Sequence, residues 1–422
     1  MEKKKPNRWL GFIILTIAAG LIYRAPYLKT VFYNPMVETF ALTNTEVAGL
    51  MTVYSLTKTI IYIPGGILVD RFDNRKMLTF SLIGEAILTF IYATIPSISV
   101  LRILQFGFAV VNVIFWVAFV KAVRMFGSAK EQGSVFGYSE GIRAAASLAI
   151  NFIALALFAS MEKNMAVHPL SGVLWLYGGL YLAMGGALWF VIPSGSGQEE
   201  GKAHATFKDY VAVLKVPAVW LVSLLVCFAY SVQVASEYIT VYLNNIMGMT
   251  AVVAGVVATV RSYGIGLFAA PIVGKITDHA SSYSKSCIVL FLFEIMLTAV
   301  LLILPGDPNY VIACVVVVLA FAAAMYSLRG VYYATMGEAG VPLAMTGTAT
   351  GIISVIGYLP DTFMNLLIGD KLDKYSGTTG YKYIFVYMIV FAVLGIVVAL
   401  VINRIGKKNS AKAGTAAAPQ KA

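Results

Sequence analysis

Charge is scarce in this chain: Asp, Glu, Lys and Arg make up 12% of 422 residues, about half of what soluble domains carry. With 59% hydrophobic residues and a mean hydropathy of +0.82, the composition excludes an ordinary soluble fold and implies an integral membrane protein. Cysteine is nearly absent. Cys227, Cys287 and Cys314 all fall inside apolar runs, as small core residues rather than disulfides or metal ligands. His168, His204 and His279 stand in or beside connectors with no second ligand at metal spacing, so no metal site is expected and the His-dependent intramembrane enzymes are excluded. No Gly-x-x-x-x-Gly-Lys-Ser/Thr phosphate loop occurs, so ATP does not drive the protein directly, and no cofactor is expected. No Gly-x-Gly-Asp aspartyl arrangement occurs either. The net charge of +11 does not imply nucleic acid, because the bases cluster beside apolar runs, where membrane topology accounts for them.

What is present is a series of apolar runs. Twelve segments read as spanning helices: 9–32, 47–69, 77–96, 99–122, 133–158, 171–193, 217–243, 251–272, 286–305, 309–333, 346–369 and 381–403. Each has about 20 residues or more, enough to cross ~30 Å of hydrocarbon as a helix, and lipid tolerates no open sheet edge. The fold class is therefore all-α. The start, Met-Glu-Lys-Lys-Lys-Pro-Asn-Arg, precedes an apolar run too long for a signal peptide and reads as a retained first helix. Lysines and arginines concentrate on one side of the expected spans, which puts both termini in the cytoplasm. The longest polar connector, 194–216, separates an amino-terminal bundle (1–193) from a carboxyl-terminal bundle (217–406), and Lys208, Asp209 and Tyr210 suggest a surface helix within it. Residues 407–422 lack an apolar period and read as a disordered cytoplasmic tail.

One short connector concentrates chemistry. Gly65-Gly66-Ile67-Leu68-Val69-Asp70-Arg71-Phe72-Asp73-Asn74-Arg75-Lys76 closes the second apolar run and opens the third. Small residues let helices approach, an Asp caps a helix start, and the bases mark a cytoplasmic face. This pattern, G-x-L-x-D-R-x-x-x-R-K, resembles the loop between helices 2 and 3 of the major facilitator superfamily. Arg102-Ile103-Leu104-Gln105-Phe106-Gly107 is similar to that superfamily's R-x-x-Q-G-x-G signature of helix 4, with Phe106 in place of one Gly. The run from Phe115 to Arg124, Glu131-Gln132-Gly133 and Gly357-Tyr358-Leu359-Pro360-Asp361 resemble the YihN-like branch of the superfamily. A weak internal repeat agrees: Gly133, Gly137 and Asn151 match Gly347, Gly351 and Asn365 in spacing, and Gly66-to-Asp70 echoes Gly274-to-Asp278.

The resemblance implies twelve helices in two pseudo-symmetric bundles. Helices 1, 4, 7 and 10 would line a central cavity, with 2, 5, 8 and 11 beside them. It implies a gating role for Gly66, Asp70, Arg71, Arg75, Arg102 and Asp278. Charges at bilayer depth cost on the order of 3 kcal/mol, so each needs a reason. Arg24, one turn from Tyr27, either snorkels outward or lines the cavity. Lys58, flanked by Tyr54 and Tyr62, and Arg261, with no acid nearby in sequence, either pair structurally or contact an anion. Gln105, Asn112 and Trp116 form one stripe; Tyr230, Gln233, Glu237 and Asn244 form another; Tyr326, Arg329 and Tyr333 a third. Glu140 and Arg143 can pair on one face. Glu85 and Glu294 read as inter-helix partners.

The expected function is a secondary active transporter of a small organic anion such as a carboxylate, sugar acid or sugar phosphate. Substrate contacts are expected from Arg24, Tyr27, Tyr54, Lys58, Asn112, Trp116, Arg143, Tyr230, Gln233, Arg261 and Arg329, and coupling from Glu140, Glu237 or Asp361. At depth on helices 1, 2, 4, 5, 7, 8, 10 and 11, bases outnumber acids five to three, which favours an anion. A transporter of neutral sugars or amphipathic drugs is the alternative, and a non-transporting receptor or scaffold a more distant one. The protein is expected to act as a monomer in the inner membrane.

Overall fold

A computed structural model describes residues 8–126, 132–164, 168–193, 207–266, 268–269, 282–342 and 345–416. It is all-helical among these residues, and the helices follow the apolar runs. Two compact units form: Met1–Lys202 with Met249–Gly264, and Ala203–Gly248 with Ile265–Ala422.

The first unit contains α1 (Arg8–Leu21), α2 (Lys29–Phe40), α3 (Asn44–Arg71), α4 (Asn74–Ala93), α5 (Ile98–Arg124), α6 (Gln132–Asn164) and α7 (Pro169–Val191). Local chemistry sets the boundaries. A capping box starts α3: the Glu46 N–H donates to Thr43 Oγ1 at 3.1 Å, and the Thr43 N–H to Glu46 Oε2 at 2.9 Å. Asp73, within the charged connector, caps α4 by accepting from the Arg75 N–H at 2.8 Å. The first span is broken at 22–28, around Pro26, which has no N–H to donate. There the Tyr181 hydroxyl accepts from the Ala25 N–H at 3.1 Å and donates to the Leu21 carbonyl at 3.2 Å, so the break stays hydrogen-bonded inside apolar surroundings.

The second unit contains α8 (Phe207–Leu214), α9 (Pro217–Glu237) and α10 (Ile239–Asn245). After α11 (Ala251–Thr259), which belongs to the first unit, come α12 (Tyr283–Ile303), α13 (Val311–Val331), α14 (Thr335–Ala339), α15 (Thr346–Gly357), α16 (Pro360–Lys374) and α17 (Thr378–Ala416). The helix expected around Lys208 is α8. Glu338 on α14 accepts from the Ser284 N–H at 3.1 Å and the Ser282 hydroxyl at 3.0 Å, holding the start of α12.

Among the described residues nine helices are long and apolar enough to cross a membrane, and Trp9–Leu21 and Ala251–Ile265 are shorter apolar ones. The 28-residue α3 completes the correspondence with the twelve segments. Two features depart from the sequence reading. Met249–Gly264, expected with the second bundle, packs with the first unit. Gly255 permits this, since a Cβ there would lie 2.6 Å from Leu155 Cδ2 and 3.3 Å from the Val31 carbonyl. The tail expected to be disordered from 407 is helical to Ala416, where an Ala- and Lys-rich sequence favours helix.

Helix α1 meets α6 at Gly20, whose carbonyl accepts from Ser147 Oγ at 2.9 Å. A Cβ at Gly20 would stand 2.7 Å from the Arg143 carbonyl oxygen, an atom that cannot move without moving the helix. Gly20→Ala is therefore expected to destabilise the folded protein by about 1–3 kcal/mol, read as a lowered Tm of the purified protein.

Candidate functional site

In the first unit, four aromatic rings form a continuous edge-to-face series. Tyr54 of α3 lies 5.2 Å from Tyr27, Tyr27 lies 6.4 Å from Tyr23, and Tyr23 lies 6.2 Å from Trp116 of α5, all centroid to centroid. A cation caps each end: Lys58 Nζ is 5.7 Å from the Tyr54 ring, and Arg143 Cζ of α6 is 5.8 Å from Trp116. Tyr23 and Tyr27 lie on the broken stretch 22–28, and Lys58 is one turn from Tyr54 on α3. Five residues picked out by sequence therefore meet: Tyr27, Tyr54, Lys58, Trp116 and Arg143.

Arg24 does not snorkel. Its guanidinium lies over the Tyr263 ring at 4.5 Å and its Nη1 donates to the Tyr263 hydroxyl. Among the described residues Tyr177 and Tyr181 are its further electrostatic neighbours, with no carboxylate beside them, and its Nε is buried without a hydrogen-bond partner. Lys58 likewise has a ring, and no carboxylate, against it among the described residues. Tyr263 stands on a π-helical turn, Val260–Ile265, that continues α11 and carries the buried, engaged Arg261. Helix-wide π turns are uncommon and recur at functional sites.

Asn112 takes a different place from its stripe-mate Trp116. It is buried, donating to Glu85 Oε2 of α4 at 2.7 Å and to the Phe108 carbonyl at 2.8 Å. Gln105 is also buried, within 3.5 Å of the Pro26 carbonyl. Arg75 packs against α7 instead of extending free, its Cζ 4.5 Å over the Trp189 ring. Arg102 is exposed at the start of α5. The surroundings of Gly66, the side chains of Asp70, Arg71 and Glu140, and all of Asp278 lie outside the described residues.

In the second unit, Tyr230 of α9 donates to Asp361 Oδ2 at 3.0 Å and stacks edge-on against Tyr358 at 4.7 Å. Asp361 is buried, one residue into α16 after Pro360. Arg329, near the end of α13, keeps an exposed face within electrostatic reach of Tyr332, Tyr358, Tyr326 and Tyr230. Glu237 acts electrostatically on Tyr230, and Gln233 is half-buried between them on α9. Glu294 on α12 is buried and neither of its oxygens has a hydrogen-bond partner.

Sequence reasoning passed over Tyr23, Tyr177, Tyr181 and Tyr263. Tyr23 was accessible, being four residues from Tyr27 on the far side of Arg24. Tyr263 gave no such signal, because α-helical spacing turns it about 200° away from Arg261.

The apolar helices define a polytopic membrane protein, and the comparisons with known proteins say of which family. The profile of the Major Facilitator Superfamily matches residues 9–363, and the chain belongs to that superfamily. It is a transporter of this family and not an enzyme. The inner membrane protein YihN of Escherichia coli is 30% identical over 418 residues, spanning 97% of this chain and 98% of its own. YqcE, an inner membrane protein of the same organism, is 27% identical over 428 residues and spans all of both chains. A probable nitrate/nitrite antiporter, NarK1 of Thermus thermophilus, is 25% identical over 307 residues, 71% of this chain and 67% of its own. Among solved structures, an inward-facing, unoccupied bacterial homolog of the human lysosomal transporter Spinster superposes with a TM-score of 0.78 at 14% identity, covering 96% of this chain and 99% of that one. The nucleoside transporter NupG does so with 0.70 at 12%, covering 94% and 99%. At such identities the likeness is one of fold.

The Asn112–Glu85 contact ties α5 to α4. Asn112→Leu leaves the buried Glu85 carboxyl without its donor, an expected cost of about 1–3 kcal/mol. Thermal unfolding should register that loss, while ligand affinity of the folded fraction stays within twofold.

Proposed function

We propose that the protein is a secondary active transporter of the cytoplasmic membrane that moves a small organic anion by alternating access. The carrying observation is that Arg24 and Lys58 rest on aromatic rings with no carboxylate against either among the described residues. A fixed cation in a low-dielectric surround keeps an uncompensated field, and that field favours an anion. Arg24 adds fork geometry suited to a carboxylate or phosphate. Tyr23, Tyr27, Tyr54 and Trp116 offer faces to an organic body, so a carboxylate, sugar acid or sugar phosphate fits better than a bare inorganic ion. Arg143, Arg261, Arg329, Tyr230 and Gln233 are further contact candidates. The name of one relative, a probable nitrate/nitrite antiporter, lends weight to both anion and exchange. The names of two others, inner membrane proteins, support the location. The distribution of bases supports cytoplasmic termini.

Coupling to protons or to exchange fits the second unit. Asp361, hydrogen-bonded to Tyr230, is a carboxylate that could take up and release a proton as its surroundings change. Glu237 and Glu140 are the other candidates. Gly66, Asp70, Arg71, Arg75, Arg102 and Asp278 retain the gating role that the family resemblance implies, and the protein is taken to work as a monomer. The aromatic series is what would favour the neutral-sugar alternative, since rings also stack on sugar faces.

A thermal-shift screen of the purified protein against anionic and neutral metabolites decides between the two. The expected result is stabilisation by anions alone, lost in Lys58→Ala. Stabilisation by neutral compounds alone, or by anions equally in wild type and variant, overturns the anion reading.

A further inference from the structure

We infer that Tyr263 is a specificity-determining residue, a stand-in whose phenol occupies Arg24 in place of the substrate's oxygen and sets the threshold a ligand must exceed to bind. This rests on the anion reading above. Both residues lie in the first unit, and Tyr263 is brought to Arg24 by the π-helical turn Val260–Ile265. The phenol oxygen accepts from Arg24 Nη1 while the ring faces the guanidinium carbon at 4.5 Å. Nothing else described satisfies that guanidinium: Nε is a buried donor with no acceptor, and the Tyr181 hydroxyl is committed to the Ala25 N–H and the Leu21 carbonyl. The turn 22–28 is thereby fixed, and Arg24 cannot easily withdraw from its place.

A phenol is a neutral acceptor. It quiets one N–H of the guanidinium and leaves the charge uncompensated. A carboxylate or phosphate oxygen makes a shorter, charge-assisted bond and can engage a second N–H, so it outcompetes the phenol. A neutral alcohol or sugar hydroxyl offers Arg24 no more than Tyr263 already gives, and does not displace it. The same contact therefore keeps the half-buried guanidinium from standing without an acceptor and rejects uncharged look-alikes. Removing the phenol oxygen should raise anion affinity up to about tenfold, because the incoming ligand no longer has to break a hydrogen bond to a charged group.

The test needs no knowledge of the natural substrate. The purified full-length protein is treated with 2,3-butanedione, a small arginine-selective reagent, and modification of Arg24 is followed by peptide mass spectrometry in wild type and Tyr263→Phe, with Tyr263→Leu as a second variant. The expected result is modification of Arg24 at least fivefold faster in both variants, slowed in all three proteins by inorganic phosphate or succinate. Equal rates in wild type and folded variants, or no modification in any, overturn the role of Tyr263. Acceleration that neither phosphate nor succinate slows overturns the anion reading instead, with the masking contact intact.

Discussion

Much of the first unit depends on one arginine that has no acid against it among the described residues. Placing a guanidinium within a helical bundle costs several kcal/mol unless something offsets it. Around Arg24 the offset comes from aromatic rings and one phenol oxygen. That choice governs the neighbouring backbone. Helix α1 stops at Leu21, the chain turns through Pro26, and the freed backbone groups are taken up by Tyr181 from α7. Ser147 binds the Gly20 carbonyl just before the break, where the missing side chain lets α6 come close. A broken helix held this firmly gives a fixed charge a fixed address.

The two units use their polar residues differently. In the first, Lys58 and Arg143 cap a row of rings and Arg24 stands beside Tyr263. In the second, a buried carboxylate at Asp361 takes a tyrosine hydroxyl, and Tyr326, Tyr332 and Tyr358 lie within electrostatic reach of the partly exposed Arg329. An uncompensated cation attracts an anion; a buried acid with a neutral donor can gain and lose a proton. The proposed anion transport and proton coupling follow that division.

The architecture was legible because hydrocarbon imposes length and composition on every span, and the twelve apolar runs correspond to helices. The charged connector announced the family, and Asp73 caps α4 as a small acid there should. Within the site, neighbours along one helix were legible: Tyr54 and Lys58 sit one turn apart, and Tyr27 follows Arg24. What periodicity could not supply was partnership across 239 positions, the separation of Arg24 from Tyr263. The π turn compounded this, because it presents Tyr263 on a face that α-helical spacing does not give it. The polar stripe on α5 misled in another way. Trp116 joins the aromatic row, yet Asn112 turns to Glu85, and spacing alone does not say which polar residue a neighbouring acid will claim.

The central claim is that charge on the ligand, not merely its shape, is what this protein recognises. Uptake into proteoliposomes of a carboxylate that stabilises the protein, measured beside its neutral primary amide of nearly the same shape, tests that claim most directly. The account predicts accumulation of the acid and background uptake of the amide. Equal uptake of both would contradict it.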